Sequence, residues 1–396
     1  MKSKLFIFLF FSLLLLSCKE RMTVHNAQFH VVINAPSLDA DRLSITDFVD
    51  SVSFIRLETT NESLIGSISQ VLFFEDLVII EDSRTHSVFF FERCGRFSHK
   101  INRRGQGPGE YTTITRAMLD TDNRRIIIFD TFSRKMLFYN LDGTFIREIN
   151  QFSDGAIIYD IINLPNGNFL AYNFDQYLGH QFSGLWEVDA NGVYVRTHLP
   201  PNTGYPFILG GSYLFHLDDG VGLSAGDVDV IYHFRQDTLT AFLSYTIRNR
   251  TSAEDVRRRN MRRRGYRPGF DTFDYVMKIH TQQKGNWILT EWSDGSAGNM
   301  PFVSVFSKRD GKIVGVGSPR FDNSSYFASF GALIVPSNDT TSIVTRVSSN
   351  TVLGLLERYQ HLPEINRNKL KELTYGMSER EIEDMNPIIQ IFHMKQ

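Results

Sequence analysis

The sequence is nearly free of cysteine: its 396 residues include two, Cys18 and Cys94. Cys18 closes an N-terminal apolar run, so the body of the chain has one thiol and no partner for it. An internal disulfide is excluded, and the fold must rest on its core. Cys94 reads as a passive turn residue. Neither sign of charge is in excess: the net charge of −2 lacks the basic footprint of a nucleic-acid binder. Long apolar runs are also missing. The first, Leu5 to Leu16, is shorter than the roughly 20 residues that cross a bilayer, and no later run is longer. Common catalytic signatures are absent as well. There is no His-Glu-x-x-His, no Gly-x-Ser-x-Gly and no paired-cysteine metal site, and the eleven histidines are scattered. Nothing implies a cofactor or a metal. What is abundant is aromatic: 33 phenylalanines and 15 tyrosines, which suit pleated, half-buried surfaces and favour β-structure.

The first 18 residues have three parts: Lys2 and Lys4, the apolar run broken only by Ser12, and Leu15-Leu16-Ser17-Cys18. That order is a signal peptide, residues 1–17. Leu-Leu-Ser-Cys resembles the lipobox of bacterial lipoproteins, which implies acyl chains on Cys18. Several chains, at roughly 0.8 kcal/mol per buried CH₂, anchor a protein to a membrane. Lys19, Glu20 and Arg21 follow, with no aspartate directly after the cysteine. The resemblance therefore implies the outer membrane. Residues 18–27 become a tether, with a maximum reach of roughly 30 Å at about 3.5 Å per residue.

Residues 28–396 carry an internal repeat. Leu77 to Asp82 and Ile126 to Asp130 are apolar runs ending in Asp, each followed by a polar turn, a second apolar run and a glycine turn. Asp82 and Asp130 stand 48 residues apart, as do Gly95 and Gly143. The turn recurs at Asn191-Gly192 and Asp310-Gly311. Asp-Gly and Asn-Gly between apolar runs signal hairpins, and type I′ turns require positive φ at both central residues. The gap from Gly192 to Gly311 holds two periods and about 21 further residues, which an Arg-rich insert at 249–269 supplies. The intervening unit then turns at Gln236-Asp237.

Four short strands per period of 40–50 residues predict an all-β fold, a six-bladed β-propeller. The units fall at 52–101, 112–150, 157–200, 206–247, 275–317 and about 327–350. The insert reads as a short helix. A further helical stretch precedes a closing strand at Ile388 to His393, with Ser378 and Glu381 as a capping box and Pro387 as its stop. Ring closure is expected to bring that strand together with Gln28 to Ile33 in one blade, since unpaired edges invite aggregation.

Three stretches carry a resemblance: Asp50 to Thr60, the link Gly105-Gln106-Gly107-Pro108-Gly109-Glu110-Tyr111, and Asn386-Pro387. The chain is similar over roughly 28–395 to the six-bladed β-propeller lipoproteins of Bacteroidetes, a family of unknown function. The link and Ile126 to Phe145 resemble an NHL repeat. The resemblance implies the fold and the anchor but names no catalytic residue, and the Arg-rich insert departs from it.

Two candidate sites follow. The link's glycines permit close backbone approach and could form an anion-binding nest, with Arg103, Arg104, Gln106, Glu110 and Tyr111 around it at the channel mouth. A tight crossover between blades accounts for the same glycines. Arg257, Arg258, Arg259, Arg262 and Arg263 in the insert could grip acidic glycans or lipid phosphates. At about 100° per residue they scatter around a helix, which a solvated surface helix explains equally. Trp292-Ser293-Asp294-Gly295 lacks the ending of a sialidase Asp-box and reads as a turn. The expected function is a lipid-anchored binding or scaffold protein of the cell envelope, with glycan uptake as its setting, partnered by the membrane and by an acidic glycan or an envelope protein. The alternative is a propeller lyase, lactonase or hydrolase with a channel-centred site.

Overall fold

The apolar runs of the repeat become strands, and the glycine turns join them into antiparallel sheets. The computed structural model describes residues 27–34, 42–43, 45, 47–150, 158–173, 184–199, 213–224, 229–248, 276–294, 300–321 and 334–396. Cys18, the tether's first residues and the 249–269 insert with its arginines lie outside the described residues.

Three strands come first: β1 (Phe29–Asn34), β2 (Arg42–Leu43) and β3 (Val49–Arg56). Blade 1 is β4 (Ile68–Phe74), β5 (Leu77–Asp82), β6 (Ser87–Glu92) and β7 (Phe97–Ile101). Blade 2 is β8 (Arg116–Asp120), β9 (Arg125–Asp130), β10 (Lys135–Asn140) and β11 (Phe145–Ile149). Blade 3 is β12 (Asp160–Asn163), β13 (Phe169–Asn173), β14 (Gly184–Val188) and β15 (Tyr194–Leu199). Blade 4 is β16 (Leu214–Leu217), β17 (Gly220–Leu223), β18 (Val230–Arg235) and β19 (Thr238–Arg248). Blade 5 is β20 (Val276–Lys284), β21 (Trp287–Asp294), β22 (Met300–Ser307) and β23 (Lys312–Phe321). Blade 6 is β24 (Ile334–Val335), β25 (Ser342–Val347) and β26 (Ile388–Met394), completed by β3. The fold is a six-bladed β-propeller.

Closure differs from the expectation. The C-terminal strand β26 pairs antiparallel with β3, from Ile388 opposite Arg56 to Met394 opposite Val49. The segment Phe29–Asn34 instead adds in parallel to β19, the outer edge of blade 4. Its pattern explains the choice: Val31 and Ile33 are buried while Val32 is 47 % exposed, the alternation of a half-covered edge strand. Residues 52–56 therefore belong to the last blade, and blade 1 begins at Ile68 rather than at 52.

The runs are continuously apolar because each blade is packed on both faces. Ile126 and Ile128 turn toward blade 1, against Leu72, Ile79 and Phe90. Ile127 and Phe129 turn toward blade 3, against Ile161, Phe169 and Trp186. Alternate residues of a strand point to opposite faces, so both must be hydrophobic. Each such side chain contributes roughly 1.5–3 kcal/mol on burial. Trp292 is part of this packing: Trp292 to Asp294 ends strand β21, paired to Met300–Phe302, and is not a turn.

The recurrent Asp fastens one blade to the crossover before it. Asp130 accepts hydrogen bonds from the amides of Thr112 (2.7 Å) and Phe132 (3.0 Å) and from the Ser133 hydroxyl (2.6 Å). Asp82 accepts from the amides of Gly66 (2.7 Å), Ser67 (2.8 Å) and Arg84 (2.9 Å). Burial opposes ionisation of Asp130, but the bonds from Ser133 and Thr112 together outweigh it and hold the carboxyl below its usual range.

The hairpins fall where Asp-Gly and Asn-Gly place them, with a different turn type. At Gly95, Gly143 and Gly192 the glycine alone of the turn has positive φ, 91°, 84° and 84°, and its amide donates three residues back. The adjacent register shifts are those of bulged turns, which loops of four or five residues permit. The two-residue connection at Gln236-Asp237 has both central residues positive, 47° and 61°, as a type I′ turn demands.

Helices Ser349–Glu357, Glu364–Leu373 and Glu379–Glu383 stand between β25 and β26. The capping box at Ser378 and Glu381 is formed. Replacing Asp130 with Ala is expected to cost about 2–4 kcal/mol in denaturant unfolding, since several part-buried donors lose one buried, charged acceptor. Asp142→Ala, in an exposed turn, should stay within about 1 kcal/mol. Equal losses for the two would count against the crossover role of Asp130.

Candidate functional site

The two faces of the ring are built differently. One carries the crossovers from an outer strand to the next inner strand, with the turns between second and third strands. The other carries the turns between first and second strands and between third and fourth.

The glycine-rich link lies on the crossover face and packs over the outer strands of blade 2, away from the channel mouth. The Gly105 amide donates to Tyr111 O (2.9 Å), Gly107 to Glu110 Oε2 (2.9 Å) and Gly109 to Glu148 Oε2 (2.8 Å). The amides expected to form an anion nest are thus taken by the chain's own carbonyl and carboxylates. A Cβ at 105 would lie 2.1 Å from the Glu110 carboxylate, so a larger residue there would displace that side chain. Tyr111 is fully buried; its hydroxyl donates to Ile101 O (3.2 Å), and burial pushes its pKa up to about 12. Arg103, Arg104 and Gln106 are exposed on this face.

The inner strands line the channel with polar groups that staple blade to blade. Arg116 Nη1 meets Asp160 Oδ1 at 2.6 Å, and Nη2 donates to Leu214 O at 3.3 Å. Asp160 Oδ2 accepts from the amides of Tyr213 (2.8 Å) and Leu214 (2.7 Å), so one buried ion pair spans blades 2, 3 and 4. Glu81 ties blade 1 to blade 2 through the Ala117 amide (2.8 Å), and burial raises its pKa. Lys278 Nζ reaches Val230 O (3.1 Å), and Lys284 Nζ donates to Asp339 O. Burial draws the Lys284 pKa down to about 8, opposed by Asp339. Burial, then the charges of Arg116 and Lys284, pull His216 down to about 4, so it is neutral near pH 7.

On the face opposite the link, a cavity of about 500 Å³ opens over the channel and runs outward between blades 2 and 3. Gln70, Arg116 and His216 line its floor, Asp122 and Asn163 its rim, and Arg147 its side. This volume is within the range of small-molecule sites, about 300–1,000 Å³. Two guanidiniums stand over the Phe138 ring: Arg147 at 4.0 Å and Arg125 at 4.9 Å from its centroid. Sequence reading missed these residues. The available signal was a lone arginine opening an apolar inner strand, Arg116-Ala117-Met118-Leu119, and another within Phe145 to Ile149. Among the described residues, no group of three or more His, Cys, Asp or Glu is placed to hold a metal ion. No described helix is long and apolar enough to cross a membrane.

Glu291 lines a separate, small cavity with His280 and Gln282, and burial raises its pKa from 4.5 to about 7. The fold favours its protonated form. Its contribution to stability is therefore full below about pH 4.5 and is lost as pH rises through about 7. Glu291→Gln should flatten that decline and stabilise the protein at pH 8 by roughly 1–3 kcal/mol, read from denaturant unfolding between pH 5 and 8. A mutant with the wild-type pH profile would contradict this.

Known proteins resemble the chain in fold. A Bacteroides fragilis protein described as exported superposes with a TM-score of 0.71 at 16% identity, covering 93% of this chain and 100% of its own. A member of the DUF4221 family from Bacteroides vulgatus superposes with a TM-score of 0.50 at 10% identity, covering 90% of this chain and 98% of its own. No curated protein matches the sequence. The family model described as "Domain of unknown function (DUF4934)" matches residues 30–393, and the chain therefore belongs to that family.

Proposed function

We propose that this protein is a lipid-anchored binding protein of the cell envelope, holding a small polar ligand in the cavity between blades 2 and 3. The observation that carries this reading is the cavity: about 500 Å³, lined by arginine, aspartate, asparagine and two phenylalanine rings on a rigid scaffold. Such convergent polar groups on an apolar base are the usual make-up of a ligand site. The leader and the Leu-Leu-Ser-Cys18 sequence support an anchored, extracytoplasmic location, as does the exported character ascribed to the Bacteroides fragilis relative. A role in glycan uptake, with the outer membrane as the site, is the setting we favour.

Strand order adds an orientation. β1 runs parallel to β19, whose first residue follows the turn at Gln236-Asp237 on the cavity face. The Gln28 amide donates to Ala241 O, near that turn, and the Phe29 ring approaches Gly311 in another turn of the same face. The chain thus enters the ring from the cavity side. A short tether from Cys18 would keep that face toward the lipid.

Two measurements test this. Cys18→Ala should move the protein from the membrane fraction to the soluble one; retention in the membrane would refute the anchor. In a Cys94→Ser background, fluorophores placed at Asp122→Cys and Arg104→Cys should differ in quenching by a lipid-phase quencher, with the Asp122 position quenched more. Equal or reversed quenching would refute the orientation. A glycan array on the soluble 19–396 chain would identify the ligand.

A further inference from the structure

Among the described residues, Arg147 is the cation of the cavity wall that has no counter-ion. Arg116 is held by Asp160 at 2.6 Å and Arg125 by Asp120 at 2.8 Å. Asp218 is engaged by Lys308 at 3.0 Å, and Asp219 by Arg235 at 2.7 Å. Arg147 donates to the Ala190 carbonyl at 3.1 Å and meets no carboxylate among the described residues. Burial lowers its pKa, and the nearby positive charge of Arg125 lowers it further. Arginine stays charged under any such shift, so the group is a half-buried permanent cation beside a second one.

The local sheet explains the placement. Phe138 on β10 lies directly opposite Arg147 on β11 and opposite Ile127 on β9, two residues from Arg125. Arg125, Phe138 and Arg147 therefore share the face of blade 2 that looks toward blade 3. The ring supports both guanidiniums from the two flanking strands and fixes their planes. Arg147, partly desolvated and without an anion among the described residues, costs free energy that a ligand anion would offset. Planar guanidinium forks match a carboxylate in bidentate geometry. Beside them, Asp122, Asn123 and Asn163 line the same cavity. An aspartate accepts hydrogen bonds and repels anions, so the remainder of the ligand must present donors such as hydroxyl groups.

We propose that the cavity selects a hydroxylated carboxylate, a uronate unit of an acidic saccharide, with Arg147 holding the carboxylate beside the Arg125–Asp120 pair. This rests on the cavity being the ligand site. Because the link's amides are occupied on the opposite face, the acidic ligand is assigned to the turn face.

The test is calorimetric titration of the soluble 19–396 chain at low salt. The probes are a panel of uronate disaccharides, their neutral hexose counterparts, and inorganic phosphate. Uronate binding is expected, weakened at least about tenfold by Arg147→Gln and less by Arg147→Lys, which keeps the charge but not the fork. Arg103→Gln, on the other face, should leave it unchanged, and thermal melts should show each variant folded. Neutral disaccharides binding as tightly, or an unaffected Arg147→Gln, would overturn the uronate assignment while leaving the cavity as a ligand site. Phosphate competing as strongly as uronate would reduce the site to a general anion site and also overturn the assignment. No binding by any saccharide would overturn both readings.

Discussion

The pairing of β3 with β26 is the constraint on which the other contacts depend. A ring of sheets has no inherent end, and until its last blade is completed by a strand from the other terminus the core between the last blade and the first is open on one side. Here Val49–Arg56 completes a sheet whose neighbouring strand is Ile388–Met394. Asn386, just before that strand, reinforces the junction. Its Oδ1 accepts from the Ile65 amide at 2.9 Å, and its Nδ2 donates to Glu58 O at 2.9 Å and Ser63 O at 2.8 Å. Two sequence stretches more than 300 residues apart thus meet at one seam, which is why both stand out from the repeat.

Around that seam the molecule divides its labour by radius. The spaces between blades are apolar and packed on both faces, as the Ile126 to Phe129 run requires. The inner strands carry the polar links between blades: their ion pair and buried lysines reach from one blade to the next. A buried pair such as Arg116–Asp160 contributes little net stability, because desolvation nearly cancels attraction. Its value here is positional: a charge that must be met by Asp160 and by the Leu214 carbonyl sets how blades 2, 3 and 4 stand around the channel. The cavity inherits its floor from that arrangement.

The fold was legible because its determinants are local. Asp82, Asp130 and the glycines at 95, 143 and 192 each act within one hairpin or on the adjoining crossover. Their recurrence in sequence is therefore recurrence in space. The closing partner was misread for the opposite reason. Phe29–Asn34 and Val49–Arg56 are both short apolar strands near the N-terminus, and the choice between blade 4 and blade 6 depends on which distant edge is left bare. The candidate site was the least legible part. The link at 105–111 attracted attention through its glycines, but those glycines accommodate Glu110 and Glu148 of the same chain.

The amino-acid sequence by itself determined the number of blades, their internal turns, and the continuous apolar strands that must be buried on two sides. Those follow from residues within a few positions of one another and from the period at which they repeat. Only the tertiary structure decided which N-terminal strand closes the ring, which face the chain enters from, and that Arg116, Arg147 and His216 line one cavity. Each of these depends on groups brought together from separate blades. Their relative placement is set by packing and by charge pairs across the channel, for which no short stretch of sequence carries a signal.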